Sequence, residues 1–200
     1  MLVAFEGGEA TGKSTQARLL AEHLGAVLTR EPGATPAGSA IRSLLLDGTA
    51  AVDHRTEALL MAADRAQHVA EVIGPALAAG RVVVTDRYVG SSLAYQGHGR
   101  GLALDEVAAL SRFATGGLDA DLVVLLTVPA AVRVARLRAR PGGGLDRLER
   151  AGDEFHQRVE AGFLALAAAD PDRWVVVDGD GSVEDVQARV VAAVLPRVTH

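Results

Sequence analysis

The sequence predicts an α/β fold in which a parallel sheet carries helices on both faces. Three observations lead there. Five short segments are continuous apolar runs, as strands buried on both faces are, and not the alternating runs of a half-exposed sheet. Longer segments with apolar residues at helical spacing lie between them. The first run also leads directly into a glycine-rich stretch that opens a helix, GGEATGKST (Gly7–Thr15).

Taken in order, LVAF (2–5) is the first strand, and Ala17, Leu19, Leu20 and Leu24 give the helix after it an apolar stripe. AVLT (26–29) is the second strand candidate. Residues 37–46 and 55–79 read as helices. In the longer one Leu59, Leu60, Ala63, Ala66 and Val69 define one apolar face, and Pro75 forces a break or kink. VVVTD (82–86) is a buried strand ending on a carboxylate. A helix is expected over 104–115, then a strand at LVVLLTV (122–128), and Pro129 suits the first turn of the next helix. PGGG (141–144) interrupts an arginine-rich stretch, 153–168 is again helical, WVVVD (174–178) is the last strand and 182–194 the last helix. With no linker, repeat or low-complexity tract, residues 1–200 read as a single domain.

Composition narrows the function. The net charge of −5 argues against broad binding to nucleic acid or anionic membrane, both of which favour a positive surface. There is no cysteine, hence no disulfide and no thiolate metal site. The start, MLVAFEGG, lacks the basic and apolar regions of a secretory signal, and no apolar run is long enough to span a membrane. The chain reads as cytoplasmic.

The chemistry begins with G-x-x-x-x-G-K-[ST], present as Gly7, Gly12, Lys13 and Ser14 between a strand and a helix, the context this phosphate-binding loop (P-loop) requires. Backbone N–H groups of Gly7, Gly8, Glu9, Ala10, Thr11, Gly12, Lys13, Ser14 and Thr15 can turn inward around phosphate oxygens at a helix N-terminus. Lys13 would reach the β- and γ-phosphates of ATP, and Ser14 can ligate Mg²⁺. Of 20 basic residues, Lys13 is the only lysine; the rest are arginine. An arginine's bulkier planar fork does not fit within such a loop, so composition yields to geometry here. One lysine also excludes rivals. The guanine-binding N/T-K-x-D motif and the second loop lysine of partition-type ATPases cannot both coexist with it, nor can either alone.

Asp86 ends a buried strand at the sheet's carboxyl edge, where open α/β folds place their sites, and can hold the hydration shell of Mg²⁺; the plain alternative is a turn cap. Arg87 beside it can grip a phosphate bidentately, or form a surface ion pair. Arg65 sits in a mostly apolar helix, where a lone arginine is usually a solvated edge residue. Six arginines (133, 136, 138, 140, 147 and 150) flank PGGG. They read either as a solvated helix face or as a hinged basic lid over phosphates at about 138–150. The histidines are scattered without ligand spacing.

These residues, together with FEGGEATGKSTQA, TREPGAT (29–35), IRSLLLDG (41–48), LLMAADRAQH (59–68), VVVTDRYVGSSLAYQGHGRGL (82–102) and LDRLERAGDEFHQRV (145–159), resemble the bacterial thymidylate (dTMP) kinases over nearly the whole chain. The resemblance implies a P-loop NTPase-type three-layer fold with a mobile lid, acting as a homodimer on dTMP and ATP with Mg²⁺. It places Glu9 at the acceptor's 3′-hydroxyl, Arg87 on its phosphate, Arg65 at the thymine edge, and Ser92 near the base. Tyr95 stands against the sugar, where it crowds out a 2′-hydroxyl; Arg30 and Gln96 complete the acceptor site. Met61 stands where the family stacks a phenylalanine on the base. Ala10 and Ala34 replace common glycines, at backbone angles expected to suit alanine. Lys13, Asp86 and the lid arginines Arg138 and Arg140 would act on the transferring group, with Arg136 expected to be solvated. A kinase of another monophosphate such as dUMP, and an inactive P-loop module, are the alternatives.

Overall fold

The computed structural model describes residues 1–46, 51–139 and 147–198. Five strands form one parallel sheet: β1 (Leu2–Glu6), β2 (Val27–Arg30), β3 (Val83–Asp86), β4 (Leu122–Thr127) and β5 (Trp174–Asp178), in the order β2-β3-β1-β4-β5. Side chains alternate across β1. Val3 and Phe5 join Leu20, Val84, Val124 and Val190 on one face, while Leu2 and Ala4 join Ile73, Val83 and Val123 on the other. Both faces of β1, β3 and β4 are covered, which is why these strands read as continuous apolar runs, while Leu28 of β2 and Val176 of β5, on the edge strands, are about half exposed.

The central position of β1 sets the site. Its neighbours are β3 on one side and β4 on the other, so the chain leaving β1 enters a crevice where the connections diverge. Asp86 pairs with Phe5 of β1 and with Arg30 of β2, placing three functional segments at one sheet edge.

The helices are α1 (Lys13–Leu24), α2 (Pro36–Leu46), α3 (His54–His68), α4 (Gly74–Ala78), α5 (Val89–Ser92), α6 (Leu104–Thr115), α7 (Ala130–Ala139), α8 (Asp153–Ala169) and α9 (Val183–Val198). The Pro75 break takes a specific form. The chain widens into π-type turns at Val69–Ile73, with the Gly74 N–H bonded to the Val69 carbonyl, and resumes as α4. This re-registers the helix around a residue that has no N–H to give.

Two expectations change. α5 continues as a π segment, Leu93–Gly99, a helical stretch the sequence pattern does not announce. Gly90, Gly97 and Gly99 make poor helix formers, but each is needed for packing: a Cβ would meet Trp174 and Glu6, Leu104, or Phe155 and Val159 respectively. The apolar face expected over 55–79 holds only in part: Val69 packs on the core and Leu60 is half-buried, but the rest of that face points away from it. The buried side of α3 carries Glu57, Ala58, Ala62, Asp64, Arg65 and His68, while Leu59 is 58% exposed and Ala63 and Ala66 face outward. Specific polar contacts, described next, outweigh hydrophobic patterning on this helix.

Candidate active site

The loop from Gly7 to Thr15 is shaped by backbone geometry. Gly7 has φ 138°, and a Cβ there would run into the Leu126 carbonyl; Gly12 has φ 98°. Ala10 departs from expectation. It has φ 57°, in the left-handed region that costs an alanine about 1 kcal/mol, whereas Ala34 keeps an ordinary φ. Lys13 is buried within the loop, its Nζ donating to the Gly8 carbonyl at 2.5 Å. Burial lowers its ammonium to about 8, with the Arg87 charge adding to the effect and Glu9 and Asp86 opposing it. Lys13 therefore remains mostly charged at neutral pH.

Ser14 Oγ donates to Asp86 Oδ2, while the buried Asp86 Oδ1 has no hydrogen-bond partner among the described residues. A hydroxyl beside a carboxylate with a spare oxygen fits Mg²⁺, which takes few protein ligands and completes its shell with water and phosphate.

Arg87, next along the chain, has φ 74°. Its Nη1 donates to the Gly7 carbonyl (3.1 Å) and Ser91 Oγ (3.0 Å), and its Nη2 to Glu9 Oε1 (2.5 Å) and the Tyr95 hydroxyl oxygen (3.3 Å). Tyr95 in turn donates to Glu9 Oε1 at 2.9 Å. Burial pushes the Glu9 carboxyl up, but Arg87 and Lys13 outweigh it and hold it down at about 2. Burial pushes the Tyr95 phenol far up, so it remains an O–H donor. Phe155 and Phe163 meet the Tyr95 ring edge-on, fixing its plane.

The sequence-predicted residues fall into two adjoining cavities. One is lined by Glu9, Met61, Arg65, Arg87, Ser92, Tyr95 and Gln96, together with Glu31, Arg42, Ser91 and Leu148. The other is lined by Glu9, Ala10, Gly12, Lys13, Ser14, Thr15, Arg30, Asp86 and Arg87, with Arg42 and Glu149. Glu9, Glu31, Arg42 and Arg87 line both, and Glu9 and Arg87 are the members of this shared wall that the sequence singled out.

Arg65 is no solvated edge residue; it is 2% exposed. Its Nε donates to Glu31 Oε2 (2.8 Å), Nη1 to Ser92 Oγ (3.0 Å) and Nη2 to the Tyr88 carbonyl (3.0 Å). Glu31 Oε1 bonds His68 Nδ1 at 2.9 Å, and His68 Nε2 bonds Thr29 Oγ1 at 2.6 Å, so a buried polar chain fixes the arginine. Gln96 Nε2 donates to the buried Glu57 at 2.9 Å, which also receives Arg100 and Arg147.

The arginine-rich stretch divides. Arg136 was expected to be solvated, but its guanidinium donates to the Thr11 carbonyl (3.2 Å) of the P-loop and the Gly179 carbonyl (3.0 Å). Arg138 is exposed on the last turn of α7 and lines neither cavity. Arg140 lies outside the described residues, as does PGGG. Sequence reasoning missed Arg42, Arg136 and Glu57. An arginine in the apolar IRSLLL helix was a usable signal for Arg42; nothing local distinguishes Arg136 from its neighbours.

A cavity walled by Arg65, Arg87, Tyr95 and Gln96 thus adjoins a P-loop. The family model described as thymidylate kinase matches residues 5–190. The thymidylate kinase of Synechococcus sp. (strain JA-2-3B'a(2-13)) is 49% identical, over 99% of this chain and 96% of its own length. That of Cereibacter sphaeroides is 51% identical, over 97% and 94%. The crystal structure of thymidylate kinase from Ehrlichia chaffeensis superposes with a TM-score of 0.80 at 28% identity, covering 96% of this chain and 97% of that one.

Proposed function

This chain belongs to the thymidylate kinase family and transfers the γ-phosphoryl group of ATP to dTMP, giving dTDP and ADP, and we propose that the two adjoining cavities divide that task. The observation that carries the assignment is their shared wall. Glu9 and Arg87 face both the P-loop, which would cradle the ATP phosphates, and the cavity walled by Met61, Arg65, Tyr95 and Gln96.

In this reading Arg87 grips the acceptor phosphate, and Arg65 and Gln96 meet the base edge with Met61 against its face. Ser92 lies near the base, Glu9 takes the 3′-hydroxyl, and Tyr95 packs on the sugar. Arg30, beside Asp86 at the sheet edge, adds positive charge between the sites. An acceptor phosphate is already a nucleophile, so no strong base is required; catalysis is positioning and charge neutralisation. Lys13 and the P-loop amides hold the donor's β- and γ-phosphates in line with the acceptor. Ser14 and Asp86 would hold Mg²⁺, which when bound supplies charge neutralisation to the phosphate oxygens. The lid arginines Arg140 and Arg138 meet the transferring group, an assignment that rests on the sequence.

We further propose a homodimer. The outward Leu59, Ala63 and Ala66 of α3 lie on a helix packed against α6, whose Phe113 is 88% exposed, and a second copy would cover this face. The chain acts as one domain in the cytoplasm, where both charged nucleotide substrates are at hand.

A coupled assay of ADP release with ATP and a panel of monophosphates tests the function. dTMP should give the highest kcat/KM, dUMP less, and cytidine or purine monophosphates little. ADP release no faster with any monophosphate than with ATP alone would refute it.

A further inference from the structure

Glu6, the last residue of β1, is fully buried and lines neither cavity. Its Oε1 accepts the backbone N–H groups of Tyr88 (3.0 Å) and Ser91 (2.9 Å), and its Oε2 accepts the Ser91 hydroxyl at 2.5 Å. Ser91 Oγ, its hydrogen spent on Glu6, is an acceptor for Arg87 Nη1 at 3.0 Å. With Glu6 ionised the relay runs in one direction, because a guanidinium only donates and an ionised carboxylate only accepts.

The relay ends at a strained residue. Arg87 holds φ 74°, and its backbone is pinned on each side: its N–H donates to the Phe5 carbonyl (2.9 Å), and its own carbonyl accepts the Thr85 hydroxyl (2.9 Å). Glu6 fixes the next N–H, that of Tyr88. A non-glycine residue persists in the left-handed region only where its surroundings over-determine it.

We infer that Glu6 is a positioning residue for the acceptor, acting through Ser91 and the Tyr88 N–H to hold the Arg87 guanidinium where it meets the acceptor phosphate. This rests on the assignment of Arg87 given above. A glycine at position 90 makes it possible, since a Cβ there would press on the Glu6 carboxylate and on Trp174. Burial pushes the Glu6 carboxyl up to about 7, while Ser91, Arg87 and the Tyr88 N–H pull it back. It is thus a costly group to retain for packing alone.

Glu6→Gln is close in volume and keeps an oxygen for the two N–H groups, but places an NH₂ against Ser91 Oγ, so the hydroxyl loses the acceptor that orients it and its oxygen is shared between that NH₂ and Arg87. In steady-state kinetics it should raise the KM for dTMP about tenfold or more, with the KM for ATP and kcat within about threefold. Ser91→Ala cuts the relay while leaving the carboxylate and its two N–H donors in place, and should raise the dTMP KM by about threefold or more. It carries the test if Glu6→Gln does not fold. Arg87→Ala, run in parallel, should raise the dTMP KM more than either. An unchanged dTMP KM in that variant overturns the phosphate assignment and the inference with it. A raised KM in Arg87→Ala beside an unchanged one in both Glu6→Gln and Ser91→Ala overturns the inference alone. So does a fall in kcat with equal change in both KM values, which would mark Glu6 as structural only.

Discussion

Replacing Glu57 by alanine should destabilise this protein more than removing any surface charge. Glu57 is fully buried in the first turn of α3. It accepts Gln96 Nε2 (2.9 Å), Arg100 Nε (3.2 Å) and Nη2 (3.1 Å), and Arg147 Nη2 (2.5 Å). Burial pushes its carboxyl up, but Arg100, Gln96 and Arg147 together bring it below the ordinary range. Without it, two guanidinium groups only 13% and 18% exposed face each other with no anion between them. Breaking a buried pair costs about 3–5 kcal/mol, and the residual exposure of both arginines argues for the lower end. The unpaired Gln96 amide adds about 1 kcal/mol, for a total of about 4 kcal/mol. For a chain of this size that is a fall of roughly 8–16 °C in Tm. Urea unfolding followed by circular dichroism would measure it, and the loss should persist at high salt, where surface pairs are screened. Glu57→Gln, which keeps one acceptor, should lose about half as much. A loss below about 1 kcal/mol in the alanine variant would refute the reasoning, because it would mean the cluster is solvated in solution.

Lys13→Arg should abolish phosphoryl transfer, since the Nζ position 2.5 Å from the Gly8 carbonyl has no room for a planar fork; near wild-type turnover would contradict this. Tyr95→Ala should raise kcat/KM for ribothymidine monophosphate relative to dTMP by about tenfold, as a lost wall against one hydroxyl is worth about 1–3 kcal/mol. An unchanged ratio would make Tyr95 a packing residue only. Arg140→Ala should lower kcat about a hundredfold with little change in either KM. Arg136→Ala should instead raise the KM for ATP, because Arg136 ties the P-loop to Gly179; equal small effects at both positions would return the segment to a solvated helix. The folded value of Glu6, about 7, exceeds its ordinary 4.5, so the native state holds a proton that the unfolded chain has released. That contribution to stability is fully present below about pH 4.5 and is lost as the pH rises through about 7. Denaturation curves from about pH 5 to about pH 8 should show wild type losing stability relative to Glu6→Gln, and parallel curves would rule the shift out.

The strands and the P-loop were legible because each has a strong local cause. A strand buried on both faces must be apolar throughout, and a phosphate cradle must place glycines at fixed intervals. What escaped has non-local causes. The buried face of α3 is polar because Glu57, Asp64, Arg65 and His68 find partners on two distant stretches: Thr29, Glu31 and Gly33 on one, and Ser92, Gln96 and Arg100 on the other. No periodicity in α3 encodes partners that distant. The helix over Val89–Gly99 was hidden because its glycines answer to neighbours packed against them, and helix propensity is the weaker demand. Arg136 was misjudged for a related reason: the Gly179 carbonyl that fixes it lies 43 residues away.

The same comparison separates scaffold from site. Among the described residues, two that are not glycine hold positive φ, Ala10 in the P-loop and Arg87 at the end of β3, and both border the cavity where the phosphates would meet. Asp86, whose buried Oδ1 has no hydrogen-bond partner among the described residues, lines the same cavity. Each departure costs about 1–3 kcal/mol and persists only because the surrounding structure over-determines it. The sheet supplies that constraint: Arg87 is pinned to Phe5, Glu6 is buried under α5, and Gly7 is pressed against the Leu126 carbonyl. A guanidinium held rigidly before any ligand arrives loses little freedom on binding phosphate, so more of the interaction remains for orienting the two substrates. The strain at Arg87 and the buried carboxylate beneath it therefore belong to one device, and its working surface is the wall shared by the two cavities.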